Sequence, residues 1–195
     1  MDPGYICGYV PGVRENGGQY THAAIWVAMA HARLGNARRA IELLKALSPI
    51  ERTLDEESVR QYRAEPYAVA ADVYSVEGAE GRAGWSWYTG SSGWMYRVWI
   101  EEVLGFKLRG DRFSMAPCLP ADWPGFSLSY RFGDSLYAVR VENPDGACRG
   151  VLWTEVDGVR TDANWVKLKD DGRRHKVTVR MGVAEEDDAT RSLSA

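Results

Sequence analysis

An uninterrupted apolar run near the N-terminus constrains the fold of this chain more than any other feature. Residues 23–30 read Ala-Ala-Ile-Trp-Val-Ala-Met-Ala, within a segment, residues 19–34, that has the pattern of a helix ending at Gly35-Asn36. A helix that is apolar in every direction must be buried on all sides. The helix predicted next, over residues 37–47, forms an antiparallel hairpin with it and covers one side only. We therefore expect further helical neighbours, and an exposed apolar patch where they are missing.

The apolar pattern changes at Gly105. Before this glycine the periodic patterns are helical, apart from residues 67–74, which fit either a short buried helix or a strand. After it, apolar and polar residues alternate in short runs separated by Gly-Asp, Asp-Gly and proline-rich turns. These runs predict strands at about residues 106–109, 112–115, 126–132, 136–141, 151–156, 165–168 and 176–181. Helices followed by such strands indicate an α+β protein with an antiparallel β-sandwich in its second half. Residues 183–195 are acidic and polar without periodicity, which predicts a disordered tail.

A hydroxyl-rich motif precedes the last predicted helix. Residues 87–94 read Trp-Tyr-Thr-Gly-Ser-Ser-Gly-Trp, and a helical pattern begins at the final tryptophan. The motif predicts a turn in which Ser91 or Ser92 caps the helix, with Gly105 ending it. Backbone N–H groups and the positive end of the helix dipole then face the turn, where the Thr89 and Ser91 hydroxyls add donors for an anion. The plain alternative is a capped helix without a ligand.

Another polar motif, residues 15–22, lies at the start of the first predicted helix and reads Glu-Asn-Gly-Gly-Gln-Tyr-Thr-His. In chain order, residues 15–22 are the first motif and residues 87–94 are the second motif. The last residue of the first motif, His22, falls in the first helical turn, so its ring lies near a second helix N-terminus and can donate to an anion. The alternative is an ordinary surface or core histidine.

Three stretches of the chain carry a family resemblance. They are residues 8–22, the run Tyr-Arg-Ala-Glu-Pro-Tyr at residues 62–67, and the run Gly-Trp-Ser-Trp-Tyr-Thr-Gly-Ser at residues 84–91. Together they resemble the glycoside phosphorylases of glycoside hydrolase family ninety-four, most of all the phosphorylase-like region of cyclic β-1,2-glucan synthases and the β-1,2-oligoglucan phosphorylases. The similarity extends from about residue 2 to residue 182. It implies an inverting transfer reaction on β-glucans, β-1,2-linked, with phosphate or glucose 1-phosphate.

The resemblance also implies roles for individual residues. In that family the histidine of the first motif and the Thr-Gly of the second bind phosphate. The phosphate-binding residues implied here are His22, Thr89, Gly90 and Ser91.

Sugar contacts are implied in the same way. The glutamate of the first motif contacts sugar in the acceptor subsite of the family, which implies this role for Glu15. Glu65 and Tyr67, in the resembling run at residues 62–67, are the other implied sugar-binding residues. The alternative role for Glu15 is to hold the Gly17-Gly18 turn by accepting from backbone N–H groups. Cellobiose-type members have a glutamine shortly after Glu-Pro-Tyr, where this chain has Ala-Ala-Asp at residues 70–72, which disfavours a cellobiose specificity.

The general acid of the family is an aspartate well upstream of this region, as are a phosphate-binding arginine and most donor-sugar contacts. The resemblance therefore implies that residues 1–105 are the C-terminal portion of an (α/α)-barrel catalytic domain and that residues 106–182 are a C-terminal antiparallel β domain. We expect no catalytic residue in this chain. It is expected to be a fragment that is inactive alone and that works with the upstream catalytic segment of the same parent protein.

Three further residues are left open. Asp72 interrupts an apolar run and is a candidate buried carboxylate, either structural or sugar-binding. Arg14 and Arg82 are candidate anion contacts, with no spacing argument for either.

Composition disfavours several other classes of protein. The net charge is −3 with scattered Lys and Arg, so no nucleic-acid surface is expected. The apolar run is too short for a membrane span, and the first residues lack a signal-peptide pattern. The three cysteines are far apart without metal-ligand spacing and predict thiols in a reducing compartment. We expect a cytoplasmic protein without metal or cofactor, with phosphate as co-substrate and no membrane contact.

The eight Trp and ten Tyr residues support one alternative function, a non-catalytic carbohydrate-binding module. Aromatic faces can stack on pyranose rings, although such residues are core anchors at least as often. A binding module would bind glucan without any effect of phosphate.

Overall fold

The computed structural model of the 195-residue chain describes residues 2–87, 89–161 and 165–182. It combines helices and strands, which confirms the predicted α+β class. The chain divides into two compact units, Met1–Val103 and Leu104–Ala195. The predicted disordered tail, residues 183–195, lies outside the described residues.

The first unit is mainly helical. Its α-helices are α1 (Thr21–Arg33), α2 (Ala37–Ala46), α3 (Glu56–Tyr62) and α4 (Thr89–Arg97), with 3₁₀ turns at Gly4–Gly8 and Glu51–Thr53. A π-helical segment, Val98–Val103, continues α4. Arg33 at the end of α1 forms an ion pair of 2.7 Å with the buried Glu102 of that segment, which ties the two helical ends together.

The first predicted helix begins two residues later than expected. Gln19–Tyr20 instead forms a short strand, β1, that pairs antiparallel with β2 (Asp72–Val73). The Thr21 N–H then donates to the Ala71 carbonyl at 2.9 Å. These bonds satisfy backbone groups through a distant segment, so tertiary pairing overrides the local helical pattern.

Helix α1 buries one face and exposes the other. Ile25, Ala28 and Ala32 are buried, whereas Trp26 and Val27 are 47% and 51% exposed. The hairpin partner α2 covers one side only, so an exposed apolar patch is present on α1. Helix α4 and the π-helical segment also pack against α1, so further helical neighbours are present, and the barrel stays a prediction. Within the described residues, no helix is both long and apolar enough to cross a bilayer.

The helix of the second motif begins at Thr89, earlier than the predicted start at Trp94. Ser91 and Ser92 therefore lie inside the helix, and the prediction that one of them caps it is wrong. The two glycines of the motif hide the helix from a sequence pattern, because glycine disfavours helices by about 1 kcal/mol. Packing against α1 offsets that preference. Gly105, with φ +72°, follows the helical segment as predicted.

The second unit consists of strands. They are β3 (Phe106–Arg109), β4 (Arg112–Met115), β5 (Gly125–Phe132), β6 (Ser135–Glu142), β7 (Val151–Val156), β8 (Val159–Thr161), β9 (Trp165–Lys167) and β10 (Arg174–Met181). One sheet has the order β5-β6-β10-β7-β8, and the other has the order β3-β4-β9. Ring contacts join them, with Phe113 and Tyr137 centroids 6.1 Å apart and Phe106 and Tyr130 centroids 5.1 Å apart.

One pairing contradicts the expectation of a wholly antiparallel β domain. β10 pairs in parallel with β6, Val177 lying opposite Val139, and antiparallel with β7. Parallel neighbours need a connection of a dozen or more residues. Residues 143–173, which include β7 to β9, provide that connection, so the larger sheet is mixed.

Candidate functional site

The two polar motifs meet at the His22 ring. His22 is the second residue of α1, and Gly90 is the second residue of α4. A Cβ atom built on Gly90 would lie 3.6 Å from His22 Nδ1 and 3.8 Å from His22 Cε1. The first turns of the two helices are therefore neighbours, which is the adjacency that a shared anion site requires.

Three aromatic rings orient the His22 imidazole. Tyr20 lies parallel to it with centroids 6.4 Å apart, Trp26 meets it edge-on at 4.8 Å, and Trp94 lies at 6.1 Å. Trp26 and Trp94 also contact each other at 5.6 Å. The sequence motifs predict no role at an anion site for these three rings. The i, i+4 spacing of His22 and Trp26 on a helix is the signal that could have identified one of them.

The first turn of α4 presents backbone donors beside this ring. The first four N–H groups of an α-helix lack intrahelical acceptors, and the helix dipole makes this end positive. Thr89 and Gly90 are exposed, whereas Ser91 is buried. Of the two hydroxyls proposed for an anion, that of Thr89 is therefore the more accessible.

A buried carboxylate holds the first motif in place. Asp72 is fully buried, and its Oδ2 accepts a hydrogen bond from the Arg14 N–H at 3.1 Å. Arg14 has φ +50°, a left-handed conformation that is uncommon for residues other than glycine. The bond stabilises the turn that carries Glu15. Of the two roles left open for Asp72, this contact supports the structural one.

Glu15 has an incompletely satisfied carboxylate. Its Oε2 lies 3.8 Å from Arg14 Nε, is buried, and accepts no hydrogen bond from the described residues. A buried oxygen without a donor is costly, and a sugar hydroxyl is a donor that would satisfy it.

The alternative role of Glu15, holding the Gly17-Gly18 turn, is filled by other groups. The Ser75 hydroxyl donates to the Gly17 carbonyl at 2.8 Å. Gly18 packs so closely on Arg14 that a Cβ would lie 2.7 Å from the Arg14 nitrogen. The turn is therefore fixed by Ser75 and by backbone packing.

The other two predicted sugar contacts, Glu65 and Tyr67, meet at Trp87. The Trp87 indole N–H donates to Glu65 Oε1 at 3.1 Å, and the Tyr67 and Trp87 rings meet edge-on with centroids 5.9 Å apart. Hydrogen bonds from its own backbone N–H, from the Ser86 hydroxyl and from Trp87 lower the pKa of Glu65. Its carboxylate is therefore an ionised acceptor at neutral pH. Trp87 belongs to the motif at residues 87–94, and the sequence predicts no individual role for it.

Backbone hydrogen bonds connect the two motifs through one central segment. Ala71 accepts from the Thr21 N–H at 2.9 Å and donates to the Trp85 carbonyl at 2.6 Å, and the Asp72 carbonyl accepts from the Gly84 N–H at 2.9 Å. This segment lies between β1 and the run at residues 84–91, which explains how residues about seventy positions apart in the sequence come together.

Of the candidates left open, Arg14 has a defined environment. Its guanidinium carbon lies 5.4 Å from the Tyr9 ring centroid and 5.9 Å from that of Trp85, within the range of a cation–π contact. The Arg82 backbone bonds to Tyr74 and Ala79, and its role in anion binding stays a prediction. In the part of the chain that the structure describes, no group of three or more His, Cys, Asp or Glu is placed to hold a metal ion.

These features define an α+β protein in which a candidate anion site at two helix N-termini is accompanied by carboxylates and exposed aromatic rings. The family model of the glycosyl hydrolase 94 superfamily, catalytic domain, matches residues 1–105, more than half of the chain. The chain belongs to the glycosyl hydrolase 94 superfamily, and the resemblance carried by the motifs is confirmed.

Curated relatives are consistent with this assignment. The chain is 48% identical over 141 residues to cyclic beta-(1,2)-glucan synthase NdvB of Rhizobium meliloti (strain 1021), covering 72% of this chain and 5% of that protein. It is 32% identical over 182 residues to N,N'-diacetylchitobiose phosphorylase of Vibrio furnissii, covering 93% and 22%. Identity to solabiose phosphorylase of Paenibacillus borealis is 26% over 179 residues, covering 91% and 23%. The chain thus spans less than a quarter of the length of each of these relatives.

Proposed function

We propose that this chain forms the phosphate- and acceptor-binding part of an inverting glycoside phosphorylase or glycosyltransferase. The observation that carries the proposal is the proximity of the His22 ring to the first turn of α4, where a Cβ built on Gly90 would lie 3.6 Å from His22 Nδ1. The substrates are β-1,2-linked glucans with phosphate or glucose 1-phosphate, a choice supported by the 48% identity to a cyclic beta-(1,2)-glucan synthase.

Phosphorolysis explains why such a site needs few protein groups. An inverting glycosidase uses one acid for the leaving oxygen and one base for water. In a phosphorylase, phosphate replaces both water and base, so the protein must hold a dianion in line with the anomeric carbon. Two helix N-termini and an imidazole donor suit that task. Each charge-assisted hydrogen bond contributes about 1.5–3 kcal/mol.

Each residue of the proposed phosphate site has its own role; the four residues are His22, Thr89, Gly90 and Ser91. The His22 ring donates from one side, held in position by its aromatic neighbours. The Thr89 hydroxyl and the N–H groups of the first turn of α4 donate from the other side. Ser91, being buried, contributes through its backbone and through the packing of that turn.

On the sugar side, Glu15 and Glu65 accept hydrogen bonds from acceptor hydroxyls, and Tyr67 offers an exposed ring to the apolar face of a pyranose. The general acid is an aspartate that another segment of the catalytic domain supplies. We therefore propose that these residues bind phosphate and acceptor but do not catalyse transfer on their own.

Steady-state kinetics test the phosphate assignment. They use the full-length protein, by which we mean this chain together with the proposed segment that supplies the general acid. We expect His22→Ala and Thr89→Val each to raise the KM for phosphate about tenfold or more, because each removes a donor to a charged ligand. Glu15→Gln should instead raise the KM for the acceptor sugar. His31→Ala, in the last turn of the same helix, is the matched control and should change neither constant. Phosphate kinetics that are indifferent to both His22 and Thr89 would contradict the assignment.

The exposed rings of Tyr67 and Trp87 favour a second candidate function, a carbohydrate-binding module. The same assays separate the two. A module binds glucan with an affinity that is independent of phosphate and of His22, and it shows no phosphorolysis in the full-length protein.

A further inference from the structure

Trp87 has an unusual backbone conformation for its side chain. Its φ is +65°, in the left-handed region where a bulky residue is a genuine outlier. Such strain persists only where surrounding contacts maintain it, and it is concentrated at ligand sites.

Burial does not account for this conformation. The Trp87 side chain is 67% exposed, so the ring gains little from leaving water, although large aromatic rings usually stabilise a fold through their buried area. Among the described residues, the Trp87 side chain donates its indole N–H to Glu65 and meets the Tyr67 ring edge-on. Both partners are proposed sugar contacts.

The position of Trp87 in the chain adds a second constraint. It precedes Thr89, the first residue of α4, by two residues. The backbone that turns at Trp87 therefore leads directly into the proposed phosphate site, while its side chain fixes one oxygen of Glu65. The Glu65 carboxylate, which also accepts from its own backbone N–H and from the Ser86 hydroxyl, is thereby held beside the exposed ring face of Trp87.

We propose that Trp87 is a positioning and specificity-determining residue for the acceptor glucose unit. Its indole N–H orients the Glu65 carboxylate towards the sugar hydroxyls, and its ring offers an apolar face to the pyranose beside Tyr67. The inference rests on the proposed function and assigns to this side chain a role in choosing the acceptor, separate from phosphate binding.

Trp87→Phe in the full-length protein is the first test, because phenylalanine keeps a ring and loses the indole N–H. With a β-1,2-linked glucose disaccharide as acceptor and glucose 1-phosphate as donor, we expect the acceptor KM to rise about tenfold, the value of a lost hydrogen bond to a charged group. The KM for phosphate in the reverse direction should change less than about twofold. Because Trp87 acts through Glu65, Glu65→Gln combined with Trp87→Phe should be no worse than Glu65→Gln alone.

Trp87→Gly separates positioning from a structural role. Glycine adopts φ +65° without strain, so this variant should unfold at the same temperature as the wild type or higher while acceptor recognition falls at least as far as in Trp87→Phe. Trp165→Phe, an exposed tryptophan of β9, is the matched control and should leave both KM values unchanged. Additive effects of Glu65→Gln and Trp87→Phe, or a loss of stability in Trp87→Gly that parallels the loss of recognition, would overturn the inference.

Failure of the inference can be told apart from failure of the proposed function. If His22→Ala raises the phosphate KM and Trp87→Phe leaves the acceptor KM unchanged, only the inference fails. If the full-length protein binds the disaccharide without phosphorolysis and Trp87→Phe weakens that binding, the inference stands and the proposed reaction fails.

Discussion

At the scale of single residues, the first motif depends on one close approach. A Cβ on Gly84 would overlap the Asp72 carboxylate and lie 2.9 Å from Tyr74 Cε1. Asp72 also accepts from the Arg14 N–H, so moving its carboxylate would disturb the turn that carries Glu15. This lack of space beside Asp72 explains why residue 84 is a glycine.

We expect Gly84→Ala to lower the free energy of unfolding by about 1–3 kcal/mol, because overpacking forces buried neighbours to move. Gly93→Ala is the matched control: a Cβ there would meet no atom within 4 Å apart from its chain neighbours and the backbone of its own helix, and alanine favours a helix over glycine by about 1 kcal/mol. Urea denaturation followed by tryptophan fluorescence measures both variants. Wild-type stability in Gly84→Ala would mean that Asp72 is not fixed as described.

Asp72 also shows what a sequence can and cannot predict about one residue. Its burial could be predicted, because it interrupts an apolar run. Its partner could not, because Arg14 is 58 positions away and nothing in either local pattern specifies the contact. The proposed role of Trp87 could not be predicted for a related reason: it rests on the backbone angle and on the bond to Glu65, and neither is visible in composition or spacing.

At the scale of secondary-structure elements, β10 is fixed near its start by a histidine between two carboxylates. His175 Nδ1 lies 2.7 Å from Asp157 Oδ2, and Nε2 lies 3.1 Å from Asp171 Oδ1. The Tyr137 ring stacks on it with centroids 4.6 Å apart. Only the protonated imidazole can donate from both nitrogens. The hydrogen bond to Asp157 is the main cause that raises the pKa of His175, against an opposing effect of burial.

This arrangement predicts a pH-dependent stability of the second unit. A group whose pKa is raised by folding contributes fully below its unfolded pKa, about 6.5 for histidine, and loses that contribution as pH rises through the folded value. The pKa of Asp157 is lowered, first by the bond from His175. Its contribution is therefore present above the unfolded value, about 3.9, and lost as pH falls. Stability should be greatest between about pH 4 and pH 6.5.

Urea midpoints measured by circular dichroism from pH 5 to pH 8.5 test this prediction. The wild-type midpoint should fall above about pH 6.5. His175→Gln should lower the free energy of unfolding at pH 6 by about 1–3 kcal/mol and flatten the decline at higher pH. His31→Gln, in the first unit, should keep the wild-type slope. A wild-type midpoint that is constant from pH 5.5 to pH 8.5 would contradict the proposed charge state of His175.

The elements differ in how far they could be predicted. The pattern of α2 was sufficient to predict it, because its buried residues follow one stripe. The start of α1 was predicted too early, since pairing of Gln19–Tyr20 with Asp72–Val73 depends on a distant strand. The start of α4 was predicted too late, since two glycines obscure its first turn. The parallel alignment of β6 and β10 follows from a crossover that no alternating pattern encodes.

At the scale of the whole molecule, the candidate site lies within the first unit, to which the family model corresponds. The class of fold and the family could be predicted from the sequence, because the motifs are long and resemble those of one family. The arrangement of those motifs around His22 could not, since it depends on how α1, α4 and the segment at Ala71 pack together. The exposed face of α1 at Trp26 and Val27 is the apolar patch that the sequence predicts where α1 lacks a neighbour.

A crystal structure of the full-length protein with inorganic phosphate tests the central claim most directly. Phosphate should lie within about 2.7–3.2 Å of a His22 ring nitrogen, of the Thr89 hydroxyl and of an N–H group in the first turn of α4. A phosphate bound elsewhere in the catalytic domain, without contact to His22 or Thr89, would contradict the account.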